Sequence, residues 1–137
     1  MEIYKHTVQY YETDRMGITH HSNYIRWMEE ARIDFLSRIG FSYRKLEEMG
    51  VVSPVLSLDC RYLAPTTFDD EVFITVSVTE FRGVKLRLSY VMENAAGKTV
   101  CEASSEHGIL SREGRLIRIK KEYPDLYEAL SREIVTE

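Results

Sequence analysis

Residues 24–39 carry the strongest helical pattern in the chain, and this pattern constrains the fold more than any other feature. Apolar side chains recur there at the spacing of an α-helix and fall on one side of it: Trp27, Met28, Ala31, Phe35 and Ile39, flanked by Ile25 and Leu36. Arg26, Glu30 and Asp34 lie outside that arc and form a solvated face. A helix of about five turns is long for a chain of 137 residues. The pattern therefore predicts that this helix is the central element of the core.

A polar segment, residues 10–23, lies directly before the helix and contains Asp14, Gly17 and two adjacent histidines. Ser22 or Asn23 is the predicted N-cap, which places the segment at the positive end of the helix. We interpret the segment as an active site in which Asp14 is the acting group. The alternative is that Asp14, within the pattern T-D-x-x-G, is a turn residue that bonds its own backbone.

Alternation of apolar and polar residues replaces the helical pattern after residue 50 and predicts strands. These strands cover residues 52–62, 72–78, 84–92 and 99–110, and a first strand is predicted over residues 2–11, with Tyr4, His6, Val8 and Tyr10 on one face. The turn signals between the later strands are too short for parallel crossovers, so an antiparallel meander is expected. A short helix after Ser42, a last extended segment LIRIKK and a terminal helix that begins at Pro124 complete the prediction.

Composition and charge exclude several classes of protein. The chain is 44% hydrophobic, carries a net charge of −4 and is predicted to form a single domain over residues 1–137. The acidic balance argues against nucleic acid as a partner. There is no apolar run of the roughly 18 residues that suggest a membrane span, and the first residues lack a signal-peptide pattern. A cytoplasmic location is therefore expected. Cys60 and Cys101 are interpreted as structural thiols.

The order of elements, together with one motif, resembles the 4-hydroxybenzoyl-CoA thioesterase family. The motif is D-x-x-G-x-x-x-H-x-N-Y-x-x-x-x-E, formed here by Asp14, Gly17, His21, Asn23, Tyr24 and Glu29. The resemblance covers nearly the whole chain. It implies an α+β hotdog fold, in which a curved antiparallel sheet wraps around one long central helix. It also implies acyl-CoA thioesterase activity and a homodimer or homotetramer with active sites at the subunit boundary.

The chemistry of thioester hydrolysis suits these residues. A thiolate leaves readily because the thiol pKa is about 8.5, so the site needs a nucleophile or base and donors for the developing oxyanion. A carboxylate can attack directly or deprotonate a water molecule. The resemblance assigns the catalytic aspartate to Asp14, the carbonyl-polarising backbone amide to His21, and an accompanying tyrosine to Tyr10. Tyr10 would share the face of Asp14 if the first strand continued that far.

A CoA substrate also requires cations for its phosphates. Arg82 and Lys85 flank a predicted turn near the position of the family's nucleotide-contacting loop, and Arg118 belongs to a second basic stretch. Few charges are present at this turn, so a thioester of an acyl carrier protein is an alternative substrate. A non-catalytic acyl-binding or assembly module is a further alternative.

Other polar residues are interpreted as structural. Glu29 and Arg32 are expected to form a structural ion pair, because Arg32 falls within the apolar side of the helix. His20 and His21 are adjacent, so their side chains diverge, and no metal or other cofactor is expected.

Overall fold

The computed structural model describes residues 3–134 and contains a five-stranded antiparallel sheet, a two-stranded sheet and α-helices. The strands are β1 (Tyr4–Thr7), β2 (Val51–Val52), β3 (Val55–Tyr62), β4 (Glu71–Phe81), β5 (Lys85–Asn94), β6 (Thr99–Gly108) and β7 (Leu110–Ser111). The α-helices are α1 (Ser22–Arg38), α2 (Tyr43–Met49), α3 (Ile119–Glu122) and α4 (Pro124–Arg132). This arrangement confirms the predicted α+β hotdog architecture.

Helix α1 packs against one face of the sheet, as the apolar pattern predicted. Trp27, Met28 and Ala31 are buried, whereas Phe35 and Ile39 are partly buried against the same core. The opposing sheet face supplies alternate buried residues from three strands, including Val72 to Val78 on β4, Leu86 to Met92 on β5 and Cys101 to His107 on β6. Burial of one face of each element accounts for the period-two pattern in the strands and the helical pattern in α1.

The predicted meander is wrong for β3. The sheet order is β1-β4-β5-β6-β3, so only β4, β5 and β6 follow one another as neighbours. The link of residues 63–70 carries the chain across three strand spacings, roughly 14 Å, to reach β4. An eight-residue link spans up to about 26 Å, so the crossing is possible without a parallel connection. As a result β3 is a long edge strand, and β1 is the other edge.

The first strand ends earlier than the alternation predicted. β1 stops at Thr7, and residues Tyr10–Glu12 form a turn of 3-10 helix. The reason is that the Glu12 carboxylate accepts the main-chain N–H of Gln9 at 2.8 Å and turns the chain away from the sheet. Glu2, which the prediction included in this strand, lies outside the described residues.

The C-terminal part corrects one prediction and confirms another. The LIRIKK segment does not extend as a strand, because its last residues begin the short helix α3. Pro124 is the first residue of α4, as predicted, and α4 buries Leu126 and Leu130. Among residues 3–134, no helix is long and apolar enough to cross a membrane.

Candidate active site

The loop of residues 13–19, between the 3-10 turn and α1, is a small hairpin. Thr13 and Thr19 form an antiparallel bridge, and the N–H of Asp14 donates to the carbonyl of Ile18 at 2.8 Å. The N–H of Gly17 closes the turn on the carbonyl of Asp14 at 3.0 Å. Gly17 has a φ of +80°, a conformation that is strained for a residue with a Cβ. The backbone therefore favours glycine at this position.

Asp14 is half-buried within this hairpin. Its Oδ1 accepts the N–H of Met16 at 2.8 Å. One oxygen of the carboxylate therefore bonds the backbone of its own turn, as the turn interpretation expected. Its Oδ2 accepts no hydrogen bond from residues 3–134. One oxygen is thus held by the turn, and the other is available to a substrate.

The hairpin is attached to the link of residues 63–70. The N–H of Thr19 donates to the carbonyl of Thr66 at 2.8 Å, and the two threonine hydroxyls lie 2.7 Å apart. The Tyr24 hydroxyl lies 3.0 Å from the Thr66 hydroxyl and joins the same buried cluster. These contacts hold the Asp14 loop against both the sheet and the first turn of α1.

Glu12 is a buried carboxylate that the sequence reasoning missed. Its Oε1 bonds the His6 ring at 2.8 Å, and its Oε2 accepts the Trp27 indole N–H at 2.8 Å. Burial raises the pKa of Glu12, but the hydrogen bonds from the Gln9 N–H, His6 and Trp27 outweigh it, so the net pKa is lowered. Glu12 could have been identified from the sequence by one requirement. The indole N–H of Trp27, on the apolar side of the helix, needs a hydrogen-bond acceptor when it is buried, and Glu12 is a carboxylate in the segment just before the helix.

The start of α1 differs from the predicted cap. His21 occupies the N-cap position without a side-chain cap bond, and Ser22 and Asn23 lie in the first turn. The Asn23 side chain instead donates to the carbonyl of Glu12 at 2.9 Å, and that carbonyl also accepts the N–H of His20 at 2.8 Å. The predicted cap does not form because the Ser22 hydroxyl is engaged by the His20 Nδ1 at 2.8 Å and the Asn23 side-chain amide by the Glu12 carbonyl.

His21 keeps its main-chain N–H free. That N–H donates to no residue in the part of the chain that the structure describes, whereas the neighbouring amide of His20 is engaged by Glu12. The His21 carbonyl accepts the Tyr62 hydroxyl at 3.2 Å, which joins the end of β3 to the start of α1. The His21 side chain is exposed. A free amide at a helix N-terminus is suited to polarise a carbonyl oxygen.

Tyr10 does not share a strand face with Asp14, so that expectation is wrong. Tyr10 lies in the 3-10 turn with 76% of its surface exposed, and its ring meets the edge of Phe68 at a centroid distance of 5.8 Å. The Thr13 hydroxyl donates to the Tyr10 carbonyl at 2.7 Å. Tyr10 therefore stands on the surface of the loop system rather than beside the carboxylate on a sheet.

Two of the three predicted phosphate-binding cations lie together. Arg82 and Arg118 line one open cavity of about 360 Å³, together with Lys120 and Lys121. Lys85 is outside this lining and lies 3.7 Å from Glu106. The cavity is at the opposite end of the sheet from Asp14, because Arg82 follows the last residue of β4, roughly 30 Å along the strand from the Asp14 end.

Cys60 and Cys101 are distant in sequence but neighbours in the sheet. Cys60 on β3 pairs with Ala103, and Tyr62 pairs with Cys101, so both sulfurs are on the helix-facing side. A hydrogen bond from Cys101 lowers the pKa of the Cys60 thiol to about 7. The Cys60 Sγ also contacts the Met28 Sδ at 3.5 Å, consistent with a packing role.

Comparisons with known proteins agree with this fold. The model of the thioesterase-like superfamily matches residues 8–130. YneP of Bacillus subtilis, to which acyl-CoA thioesterase activity is provisionally assigned, is 33% identical over 123 residues, which cover 89% of each chain. The acyl-CoA thioester hydrolase YbgC of Escherichia coli is 31% identical over 70% of this chain and 72% of its own. A DHNA-CoA thioesterase structure from Staphylococcus aureus superposes with a TM-score of 0.90 at 31% identity, covering 95% of this chain and 88% of that one.

Proposed function

The chain belongs to the thioesterase-like superfamily, and from this premise we propose that it hydrolyses acyl-CoA thioesters with Asp14 as the acting group. The prediction of a thioester hydrolase agrees with the names of the relatives. The observation that supports our assignment of residues is local. At the junction of the loop and α1, Asp14 has one unbonded carboxylate oxygen and His21 has an unbonded main-chain N–H.

In the proposed reaction, the His21 N–H donates to the thioester carbonyl oxygen and stabilises the negative charge that develops there. In one route, Oδ2 of Asp14 attacks the carbonyl carbon, the C–S bond breaks, and water then cleaves the resulting mixed anhydride. In the other route, Asp14 removes a proton from a water molecule, and the hydroxide attacks. In both routes the sulfur leaves as a thiolate, which takes up a proton in solution.

The remaining candidate residues support this centre. Glu12 holds the His20 amide and the Asn23 side chain through its carbonyl, so the neighbouring His21 amide stays unpaired. Tyr10 and Phe68 form an exposed aromatic pair beside the loop, which suits contact with a substrate or a second subunit. We assign Tyr10 to that contact and not to proton transfer.

The identity of the acyl group is a finer proposal. We propose an aromatic acyl-CoA of the kind that the 4-hydroxybenzoyl-CoA branch accepts, in line with the name of the Staphylococcus aureus relative. An acyl carrier protein thioester is the alternative substrate, and a non-catalytic acyl-binding module is the alternative role. The module would keep the fold but would have no need of the free Oδ2 of Asp14.

We also propose that the enzyme works as a homodimer or homotetramer joined at β3. This edge strand of eight residues exposes Val55, Leu56 and Leu58, and an unpaired apolar edge favours pairing with another strand. In an antiparallel pair about a two-fold axis, the Tyr62 end of one strand lies beside the Val55 end of its partner. The partner's Arg82, at the other end of its sheet, would then approach the Asp14 loop. The phosphate-binding cations and Asp14, which lie at opposite ends of the sheet in one chain, would thus come together across the interface.

Replacing Asp14 by Asn tests the proposal. The Asn Oδ1 keeps the bond from the Met16 N–H, so the hairpin should be preserved. We expect the turnover of benzoyl-CoA to fall by about 100-fold or more, while the melting temperature stays unchanged. Turnover is measured from the amount of free thiol released. The matched control is Asp125→Asn, an exposed position on α4 that should retain full activity. Unchanged turnover in Asp14→Asn would instead favour the acyl-binding module.

A further inference from the structure

A small cavity lies between α1 and the edge strand β3 and shares no lining residue with the candidate active site. Its volume is about 40 Å³. A cavity needs roughly 10–15 Å³ to hold one water molecule, so this cavity has room for a small ion or a few waters and not for an acyl group. Part of its lining is apolar and comes from Ile25, Met28, Val55 and Leu58.

Arg32 brings a nearly buried positive charge to the cavity. Its side chain is 12% exposed, and its guanidinium lies 3.9 Å from the Glu29 carboxylate, whose side chain is 65% exposed. The structural ion pair expected from the sequence therefore forms, but it is long, and water screens its acidic side. The guanidinium donates no hydrogen bond to any residue in the described part of the chain. Because a buried charge without hydrogen-bond acceptors is costly, Arg32 needs an acceptor in the cavity.

Three buried polar side chains in the same lining form a chain of hydrogen bonds. The Tyr90 hydroxyl lies 2.7 Å from the Ser105 hydroxyl, which lies 2.7 Å from Nε2 of His107. If Tyr90 donates to Ser105 and Ser105 donates to Nε2, both hydroxyl hydrogens are used. The opposite direction leaves the buried Tyr90 O–H without an acceptor among residues 3–134. The first direction is therefore favoured, and it puts the ring proton of His107 on Nδ1.

The Nδ1–H of His107 is thus a second donor in the lining that lacks an acceptor. Nδ1 is buried and has no hydrogen-bond partner within residues 3–134. Burial and then the Arg32 charge lower the pKa of His107 to about 4, against a smaller opposing effect of the Ser53 carbonyl. The ring is therefore neutral at pH 7, and with Nε2 accepting from Ser105 it can only donate at Nδ1. The cavity combines one cationic donor and one neutral donor.

We propose that this cavity binds a monatomic anion, a halide such as chloride, between the Arg32 guanidinium and the Nδ1–H of His107. An anion accepts from both donors and offsets the positive charge that the solvated Glu29 carboxylate leaves uncompensated. A water molecule would accept the same bonds but would bring no charge. Glu29 also lines the cavity, so its own negative charge opposes the anion and limits the affinity.

A bound halide would join two elements of the fold. Arg32 belongs to α1 and His107 to β6, so the anion would connect the central helix with the sheet. A ligand that binds the folded chain and not the unfolded chain raises stability by mass action. The stability of the protein should therefore depend on halide concentration. This dependence does not require the proposed thioesterase activity, because Asp14 and His21 are not part of the lining.

Thermal unfolding measures that dependence. Sodium chloride or sodium bromide replaces sodium gluconate, whose anion is too large for the cavity, at constant ionic strength. We expect the melting temperature of the unmodified protein to rise by about 2 °C or more relative to Arg32→Met, in which only general salt effects remain. Arg26→Met, an exposed position on the same helix, is the control and should retain the rise. Glu29→Gln removes the opposing charge and should enlarge the rise.

Anomalous diffraction from crystals grown with sodium bromide locates the ion independently of stability. We expect a bromide peak in contact with the Arg32 guanidinium and Nδ1 of His107. A cavity that contains only water in bromide would overturn the inference, as would a halide effect that is equal in the unmodified protein and Arg32→Met. If Arg32→Met does not fold, a halide effect in Glu29→Gln no larger than in the unmodified protein decides against the site. A bromide peak without any effect of halide on the melting temperature would be an adventitious ion only and would also overturn it.

Discussion

The indole Nε1–H of Trp27 donates a hydrogen bond of 2.8 Å to Oε2 of Glu12, which joins the second turn of α1 to the segment that carries Asp14. The other oxygen of Glu12 accepts from Gln9 and bonds His6, each at 2.8 Å. Both oxygens of a buried carboxylate are therefore satisfied, and Glu12 joins the segment that precedes the Asp14 loop to the core.

Glu12→Gln should strongly destabilise the fold. The side-chain NH2 of Gln is a donor, and it would face the N–H groups of Gln9 or Trp27, which need an acceptor. We expect the free energy of unfolding to fall by about 2–4 kcal/mol, since the loss combines charged hydrogen bonds with an unsatisfied buried group. Urea unfolding followed by circular dichroism measures the change. Glu48→Gln, an exposed residue of α2, should change the free energy by less than about 0.5 kcal/mol. Equal effects of the two substitutions would contradict the role of Glu12.

The same carboxylate predicts how stability depends on pH. The pKa of Glu12 is lower in the folded protein than its ordinary value of 4.5. Its contribution is therefore fully present above pH 4.5 and is lost as the pH falls through the lower, folded-state pKa. The difference in unfolding free energy between the unmodified protein and Glu12→Gln should narrow as the pH falls below 4.5. A difference that widens below pH 4.5 would exclude a lowered pKa.

A comparison of Gly17→Ala with Gly97→Ala separates the loss of stability that backbone strain causes from a loss of catalytic activity. Gly17 and Gly97 have φ values of +80° and +82°, and an added Cβ meets nothing within 4 Å at either position. Each substitution by Ala should lower the free energy of unfolding by roughly 1–2 kcal/mol. Only Gly17→Ala should also reduce turnover, by about 10-fold or more, because a small displacement of Asp14 misaligns the reacting atoms. Equal activity in the two variants would place Asp14 outside the catalytic centre.

Arg82 and Arg118 should contribute to binding of the CoA phosphates. The double substitution Arg82→Ala/Arg118→Ala is expected to raise KM for benzoyl-CoA by about 10-fold, because it removes two cations from one cavity. KM for benzoyl-pantetheine, which lacks the nucleotide phosphates, should not change. Lys98→Ala, in the turn between β5 and β6, is the control. A double variant with an unchanged KM for benzoyl-CoA would favour the acyl carrier protein alternative.

The β3 edge predicts the effect of one added charge on assembly. We expect the unmodified protein to be a dimer or tetramer in light scattering at micromolar concentration. Leu56→Lys should shift it toward monomer, because a charge on an exposed edge strand opposes strand pairing. Ala96→Lys adds the same charge in the exposed turn between β5 and β6 and should leave the mass unchanged. A monomeric unmodified protein would refute assembly through β3.

Part of the candidate site was predictable because it depends on local sequence. Asp14 and Gly17 occupy a tight turn that a few consecutive residues specify, and the position of His21 follows from where α1 begins. Tyr10 was placed wrongly because apolar and polar residues go on alternating in the sequence after Thr7. The strand β1 nevertheless ends at Thr7, and the chain turns at Tyr10–Glu12. The prediction of an N-cap failed because the Ser22 and Asn23 side chains bond His20 and the Glu12 carbonyl instead, and these contacts depend on how the preceding segment packs against the helix.

The sequence by itself determined the long central helix, the terminal helix that begins at Pro124 and the strand segments, because periodicity and turn residues act over a few neighbouring positions. Only the tertiary structure decided that β3 lies at the far edge of the sheet beside β6, and that Glu12 meets Trp27. It also brought Arg32 and His107 together in the lining of one small cavity between α1 and β3. These contacts join residues far apart in the chain, and their energies come from burial and from the satisfaction of polar groups, which no local spacing encodes.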